Sequence, residues 1–155
     1  MAFDPSALQL DDVDWSILEE LQADGRLPFS ELGRRVSLSA PAVTDRVRRL
    51  EAAGVITGYR AVVSPAAVGL PIEAVVRVRD NTGRIGGALP TMPEVLEAMH
   101  VTGEDCWVVR LVVTDMAALE VIVGTLGTFG ATTTSMVFSA PVRDRPVSRP
   151  GSPAG

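Results

Sequence analysis

Residues 26–60 read RLPFSELGRRVSLSAPAVTDRVRRLEAAGVITGYR, with seven arginines against three acids in a chain of net charge −5. Pro28 suits the first turn of a helix, and a helix to Val36 would bury Phe29, Leu32 and Val36. Ser37 and Leu38 then make a short turn, and Ser39 is a natural N-cap for the next helix. That helix would bury Val43, Val47 and Leu50 and stop at Gly54. Val55–Val63 follows as a strand-like stretch. The spacing predicts a helix-turn-helix with a wing, and it places positive charge on the second helix.

Working outward, residues 1–25 hold seven acids and no base, so the charge is local rather than spread. A first helix should start near Asp11 or Asp12, where acids favour the positive helix end. Val13, Ile17, Leu18 and Leu21 form its buried face, and Gly25 is expected to end it in a left-handed cap. On the other side, SPAAVGLP at 64–71 marks a linker. Beyond it the pattern becomes period two: Ala74, Val76 and Val78 alternate with Glu73, Arg77 and Arg79. A short helix at about Arg84–Leu89 and strands at about Val95–Val101 and Cys106–Val113 follow. A helix Met116–Leu126, burying Met116, Leu119, Ile122 or Val123, and Leu126, leads to a last strand at 132–139.

This β-α-β-β-α-β order predicts an α+β chain with a ferredoxin-like second domain. The expected divisions are 1–63 for the winged head, 64–71 for the linker and 72–140 for the ferredoxin-like domain. Residues 141–155, with four prolines, two glycines and three arginines, read as a disordered tail.

Composition limits the function. Hydrophobic content of 46% with 21% charged residues fits a folded chain, and no apolar run is long enough to span a bilayer. The acidic start MAFDPSALQLDD resembles no targeting peptide, so the cytoplasm is the expected compartment. A single Cys106 and a single His100 make a weak metal set, and no metal or cofactor is expected. Cys106 reads as a small buried hydrophobe, and Trp107 as a core or subunit-interface residue. No Gly-rich phosphate loop, HExxH or GxSxG is present, so catalysis is not expected. The acidic pI argues against a general polyanion binder.

Within the second helix of the motif, Pro41, Thr44, Asp45, Arg48 and Arg49 project away from the buried side. The N-terminal half of such a helix enters the major groove, with Ser39 at its start. Thr44 and Arg48, with Arg49 beside them, are the expected base readers, because arginine bonds guanine in a bidentate way. Asp45 either accepts from a cytosine amine or orients a neighbouring arginine. Arg34, Arg35, Arg46 and Arg60 are expected on phosphates. The competing reading pairs these arginines with Glu31 and Glu51 on a solvated face.

The residues LDDVDWSILEELQADGR, ELGRRVSLSAPAVTDRVRRLEAAGVITGYRAVVSP, VTGEDCWVVRLVVTDM and TTTSMVFSAPV resemble the Lrp/AsnC (feast/famine) family of transcription regulators. The resemblance covers about residues 10–142. It implies a homodimer built through the ferredoxin-like sheets, assembly into tetramers or octamers, and a small effector, commonly an amino acid, between dimers. It also implies an effector pocket at Thr102, Gly103, Glu104, Asp105 and Cys106, completed by Thr132, Thr133, Thr134 and Ser135. Gly103 allows close backbone approach, free N–H groups suit a carboxylate, and the acids suit an ammonium. The family commonly has Asp directly before the aromatic of this strand. Here Cys106 stands there, with acids one and two places earlier. Asp105 replaces that carboxylate, or the pocket takes another ligand, or none. TTTS at 132–135 also has a plainer reading as β-propensity on a half-exposed strand.

The reading that follows is a sequence-specific regulator of double-stranded DNA, nucleoid-associated, answering to an amino acid. The alternative is a nucleoid-organising protein that wraps DNA with little sequence specificity or no effector.

Overall fold

The computed structural model describes residues 9–151, so the expectations for residues 1–8 and 152–155 lie outside the described residues. The chain divides into two compact units: the described parts of Met1–Ala61 and Val142–Gly155 form one, and Val62–Pro141 forms the other. Each has its own apolar core.

The head begins with α1, Asp12–Ala23, capped by Asp11. The Asp14 N–H donates to Asp11 at 2.8 Å and the Asp11 N–H donates back to Asp14 at 3.2 Å. This reciprocal pair satisfies two of the orphan donors at the helix start. Ile17, Leu18 and Leu21 are buried as their spacing requires. Gly25 does not take the expected left-handed conformation. Asp24 ends the helix in extended backbone and its carboxylate accepts from the Arg26 N–H at 2.9 Å, so an aspartate turn replaces the glycine cap.

Helix α2 spans Phe29–Arg35, with Pro28 as its N-cap rather than its first residue. Leu32 is buried, whereas Phe29 stays 37% exposed because Leu27 holds the core place expected of it. Ser37 takes the left-handed turn. Gly33 allows that turn to close, since a Cβ there would stand 2.6 Å from the Leu38 carbonyl oxygen. Helix α3, Ala40–Ala52, starts on Ser39, whose hydroxyl accepts from the Ala42 N–H. Val43, Val47 and Leu50 face the core, and Gly54 at φ 70° ends the helix.

The wing strand expected at Val55–Val63 does not form. No second strand in the described part of the head pairs with it, and a lone extended segment leaves its backbone groups to water. The tail also differs from expectation. Residues 142–151 carry no regular structure, yet they hydrogen-bond to the head rather than standing free of it.

The second unit is the ferredoxin-like α+β arrangement: β1 (Ile72–Asp80), α4 (Ile85–Ala88), β2 (Val95–His100), β3 (Trp107–Val113), α5 (Met116–Gly127) and β4 (Gly130–Met136). The strands lie in the order β2-β3-β1-β4 with every neighbour antiparallel. Ala74, Val76 and Val78 are fully buried, as the alternation predicts. Leu119, Ile122 and Leu126 of α5 cover that face, but Met116 at the helix start remains 59% exposed. β4 begins two residues before its expected start and ends three before its expected end.

Candidate nucleic-acid interface and effector turn

The arginines of the head sort by partner. Asp14 is fully buried, and it accepts from Arg46 at 2.8 Å and from Arg49 at 2.6 Å. Arg46 also reaches Asp11 at 2.7 Å. The Asp14 N–H, with Arg46 after it, holds the Asp11 carboxyl below its ordinary range. A carboxylate removed from water needs such counter-charges. Arg46 and Arg49, expected on phosphate and base, therefore join α3 to α1 through Asp14. Sequence reasoning missed the arrangement because Asp14 looked like one more helix-start acid. Its signal was its place in the buried Asp14–Ile17–Leu18–Leu21 face.

Arg34 and Arg35 meet Glu31 at 2.6 and 3.0 Å, and Arg35 also meets Glu20 at 2.6 Å. Arg34 first and Arg35 second hold Glu31 down to about 2, so this cluster keeps its charges at physiological pH. The pairing with Glu31 that the solvated-face reading describes is present for these two residues. Both remain more than 40% exposed and can exchange Glu31 for a phosphate. Arg60 lies 3.4 Å from Asp144 and is 79% exposed.

Arg48 is the exception on α3. It is exposed, and among the described residues no acid engages it. Asp45 is exposed one turn before it, and Pro41 and Ser39 are exposed at the helix start. Thr44 is half-buried, and its hydroxyl donates back to the Ala40 carbonyl at 2.8 Å. Of the residues expected to read bases, Arg48 and Asp45 thus stay exposed with no partner among the described residues, whereas the Thr44 hydroxyl is bonded within the helix.

Tyr59, the only tyrosine, donates to Glu51 at 3.0 Å. Burial first, and the Glu51 carboxylate second, push its phenol up to about 12. A raised folded value means the neutral phenol favours the fold below the ordinary tyrosine range, a contribution lost as pH rises through about 12. An ultraviolet titration of tyrosinate is expected to show this late ionisation, and Glu51→Gln should move it back toward 10. A Glu51→Gln variant that ionises together with the wild type would refute the contact.

In the second unit, the turn 102–105 joins β2 to β3, with Gly103 at φ 114°. Arg79, at the end of β1, meets Glu104 at 2.5 Å and lies 3.9 Å from Asp105. The two acids expected to meet an ammonium already share one guanidinium, and Arg79 joins the candidate site. The antiparallel register carries the missed signal: Val78 pairs with Trp107, which sets the next residue of β1 beside this turn. Cys106 is half-buried, its thiol 3.9 Å from the Val78 carbonyl. Trp107 packs against the core and stacks with His100 at a centroid distance of 4.8 Å.

The TTTS group divides between the faces of the sheet. Thr132 and Thr134 pair with buried Val78 and Val76, on the helix side. Thr133 and Ser135 pair with Arg77 and Val75, on the open side. Ser135 also lies about 10 Å along the strand from Thr132, at roughly 3.3 Å per residue. Only the Thr132 end of the group lies on the same sheet end as the turn.

Comparison with known proteins agrees with both units. Residues 10–51 match the AsnC-type helix-turn-helix domain, and residues 73–147 match the Lrp/AsnC ligand binding domain. The HTH-type transcriptional regulator LrpC of Bacillus subtilis is 32% identical over 135 residues, which is 85% of this chain and 94% of that protein. Its solved structure superposes with a TM-score of 0.82, covering 86% of this chain and 97% of that one. A Neisseria meningitidis transcriptional regulator in complex with L-Met superposes at 0.84 with 30% identity, covering 90% and 96%. The feast or famine regulatory protein of Mycobacterium tuberculosis, complexed with L-methionine, superposes at 0.83 with 35% identity, covering 88% and 97%. The relatives are named as transcriptional regulators, not enzymes, and no described helix is long and apolar enough to cross a membrane. A DNA-binding head on a ligand-binding domain, matched in sequence and in fold, makes this chain a member of the Lrp/AsnC family of transcriptional regulators.

Proposed function

We propose that this regulator reads a roughly palindromic DNA site as a dimer and that an amino acid bound at the 102–105 turn sets how dimers associate. The observation that carries the DNA reading is Arg48, exposed on α3 with no acid engaging it, while Arg46 and Arg49 of the same helix are held by Asp14. Arg48 reads bases with Asp45 beside it. Arg34, Arg35 and Arg60 exchange exposed carboxylates for phosphates, which position without reading. Ser39, Pro41 and Thr44 lie at the groove-facing start of the helix.

The dimer is supported by the second unit. β2 and β4 are open sheet edges, and Phe138 is 100% exposed with Leu96 and Met99 above 40%. Edges and apolar side chains of this kind are ordinarily covered by another chain. Tetramers or octamers follow by repetition of the dimer. The working compartment is the cytoplasm, at the nucleoid.

For the effector, backbone N–H groups of the turn and Arg79 suit a carboxylate, while Glu104 and Asp105 suit an ammonium. A cleft of about 290 Å³ beside Trp107, lined by Leu89, Met92 and Leu96, suits an apolar side chain. Two structural relatives are complexed with L-methionine, which makes it the first ligand to try here. Thr132 is the member of the threonine group best placed to assist, and Cys106 follows the turn directly.

Calorimetry with L-methionine and then the other common amino acids, beside gel shifts on the regulator's own promoter, tests both halves. One amino acid should release heat and shift the oligomer distribution. The promoter should be preferred over random DNA by roughly 10³-fold or more at physiological salt. Heat from no amino acid would defeat the effector half, and equal binding to random DNA would favour the nucleoid-organising alternative.

A further inference from the structure

The head carries a cleft of about 440 Å³ between α1 and the 55–60 segment, lined by Leu10, Trp15, Leu18, Leu21 and Ile56. Val147 of the tail lines its edge. The Gln22 side chain accepts from the Val147 N–H at 2.7 Å and donates to the Val147 carbonyl at 3.1 Å. One amide thus reads both backbone groups of a single residue, as a neighbouring strand would. Arg149 meets Asp12 at 2.6 Å and Asp144 meets Arg60 at 3.4 Å, so charges of opposite sign hold the segment on either side of Val147.

We propose that this face of the head is a peptide-docking surface whose occupant is the chain's own tail, residues 142–151, and that the docked tail competes with DNA for Arg60. The register is specific: a backbone amide pair at Gln22, an arginine two residues later for Asp12, and an aspartate three residues earlier for Arg60. The hold is reversible. Val147 keeps 70% of its surface exposed, and all three contacts lie at the surface, where pairs are weak and salt-screened. Release of the tail adds one phosphate anchor per protomer, which makes it a restraint on DNA binding.

The DNA half rests on the proposed role of Arg60, whereas the docking half does not, and the full-length protein separates them. Gln22→Ala removes the amide pair, and Arg149→Glu sets like charges at Asp12. Arg145→Glu makes the same charge change with no partner among the described residues. Amide hydrogen exchange at Val147 is expected to quicken roughly tenfold in the first two variants and to stay unchanged in the third. Binding to promoter DNA in those two should depend on salt more steeply than in Arg145→Glu, by about 0.9 in log–log slope per protomer. A wild-type Val147 amide already exchanging as fast as in a free peptide overturns the docking. Quickened exchange with an unchanged slope overturns the competition for Arg60. Absence of DNA binding in every protein would count against the proposed function, and the exchange result would still decide the docking.

Discussion

Replacing Arg48 with alanine is expected to weaken operator binding by about 30-fold to 10⁴-fold while leaving random-sequence binding nearly unchanged. A bidentate arginine–guanine contact discriminates by about 1–3 kcal/mol, and a dimer makes the contact twice, giving about 2–6 kcal/mol in all. The structure favours Arg48 for this role because no acid has to be displaced first, whereas Arg49 would have to leave a buried carboxylate. Arg48→Lys sharpens the test. It keeps the charge and loses the planar fork, so specificity should fall almost as far as with alanine. Competition gel shifts against operator and random duplex, each over a range of salt, give both quantities. Equal losses on the two DNAs would make Arg48 a phosphate contact instead. Such an outcome would shift base reading to Asp45 and the start of α3.

The sequence carried the elements better than their partners. Periodicity was sufficient for α1, α3 and the inner face of β1, because burial there follows directly from spacing. Helix starts at Asp11 and Ser39 were legible for the same local reason, since an N-cap reports on its own backbone. Non-local facts were harder to read. Nothing near Arg79 in the chain announces Glu104, twenty-five residues away, and only the β1–β3 register joins them. TTTS reads as one group until the pairing with β1 sends alternate members to opposite faces. The strand expected at 55–63 has suitable residues, but a strand needs a partner as well as a propensity. The tail illustrates the same limit in reverse. Its prolines and glycines rule out regular structure without forbidding an extended segment held by Gln22 and Asp12. Cys106 before Trp107 remains the departure that sets this turn apart, and the geometry adds Arg79 as a counter-charge to the displaced acids.

Asp14→Ala is expected to destabilise the head by about 3 kcal/mol, a large part of the roughly 3–9 kcal/mol available to a unit of this size. The carboxylate accepts from the Arg46 and Arg49 guanidinium groups and from the Asp11 N–H, all while fully buried. Its loss leaves one orphan donor at the start of α1 and cuts the only ion pair of Arg49 among the described residues. The effect stays below that of a fully enclosed triad, because Arg49 is 47% exposed and can turn to water, while Arg46 retains Asp11. Asp14→Asn should be nearly as damaging, since an amide nitrogen would face one of two cations that can only donate. Circular dichroism melting should show the head transition falling on the order of 15 °C, with the separately cored second unit unaffected. Acid should act the same way. The Asp11 value is lowered, so its contribution is present above the ordinary carboxylate range and is lost as pH falls through the folded value. A melting point unchanged by Asp14→Ala would mean that the arginines do not depend on this carboxylate. Arg46 and Arg49 would then be free for DNA, and the recognition surface would widen again to three cations of α3. Stability of the head and the width of its reading surface are therefore one question, and this substitution answers both.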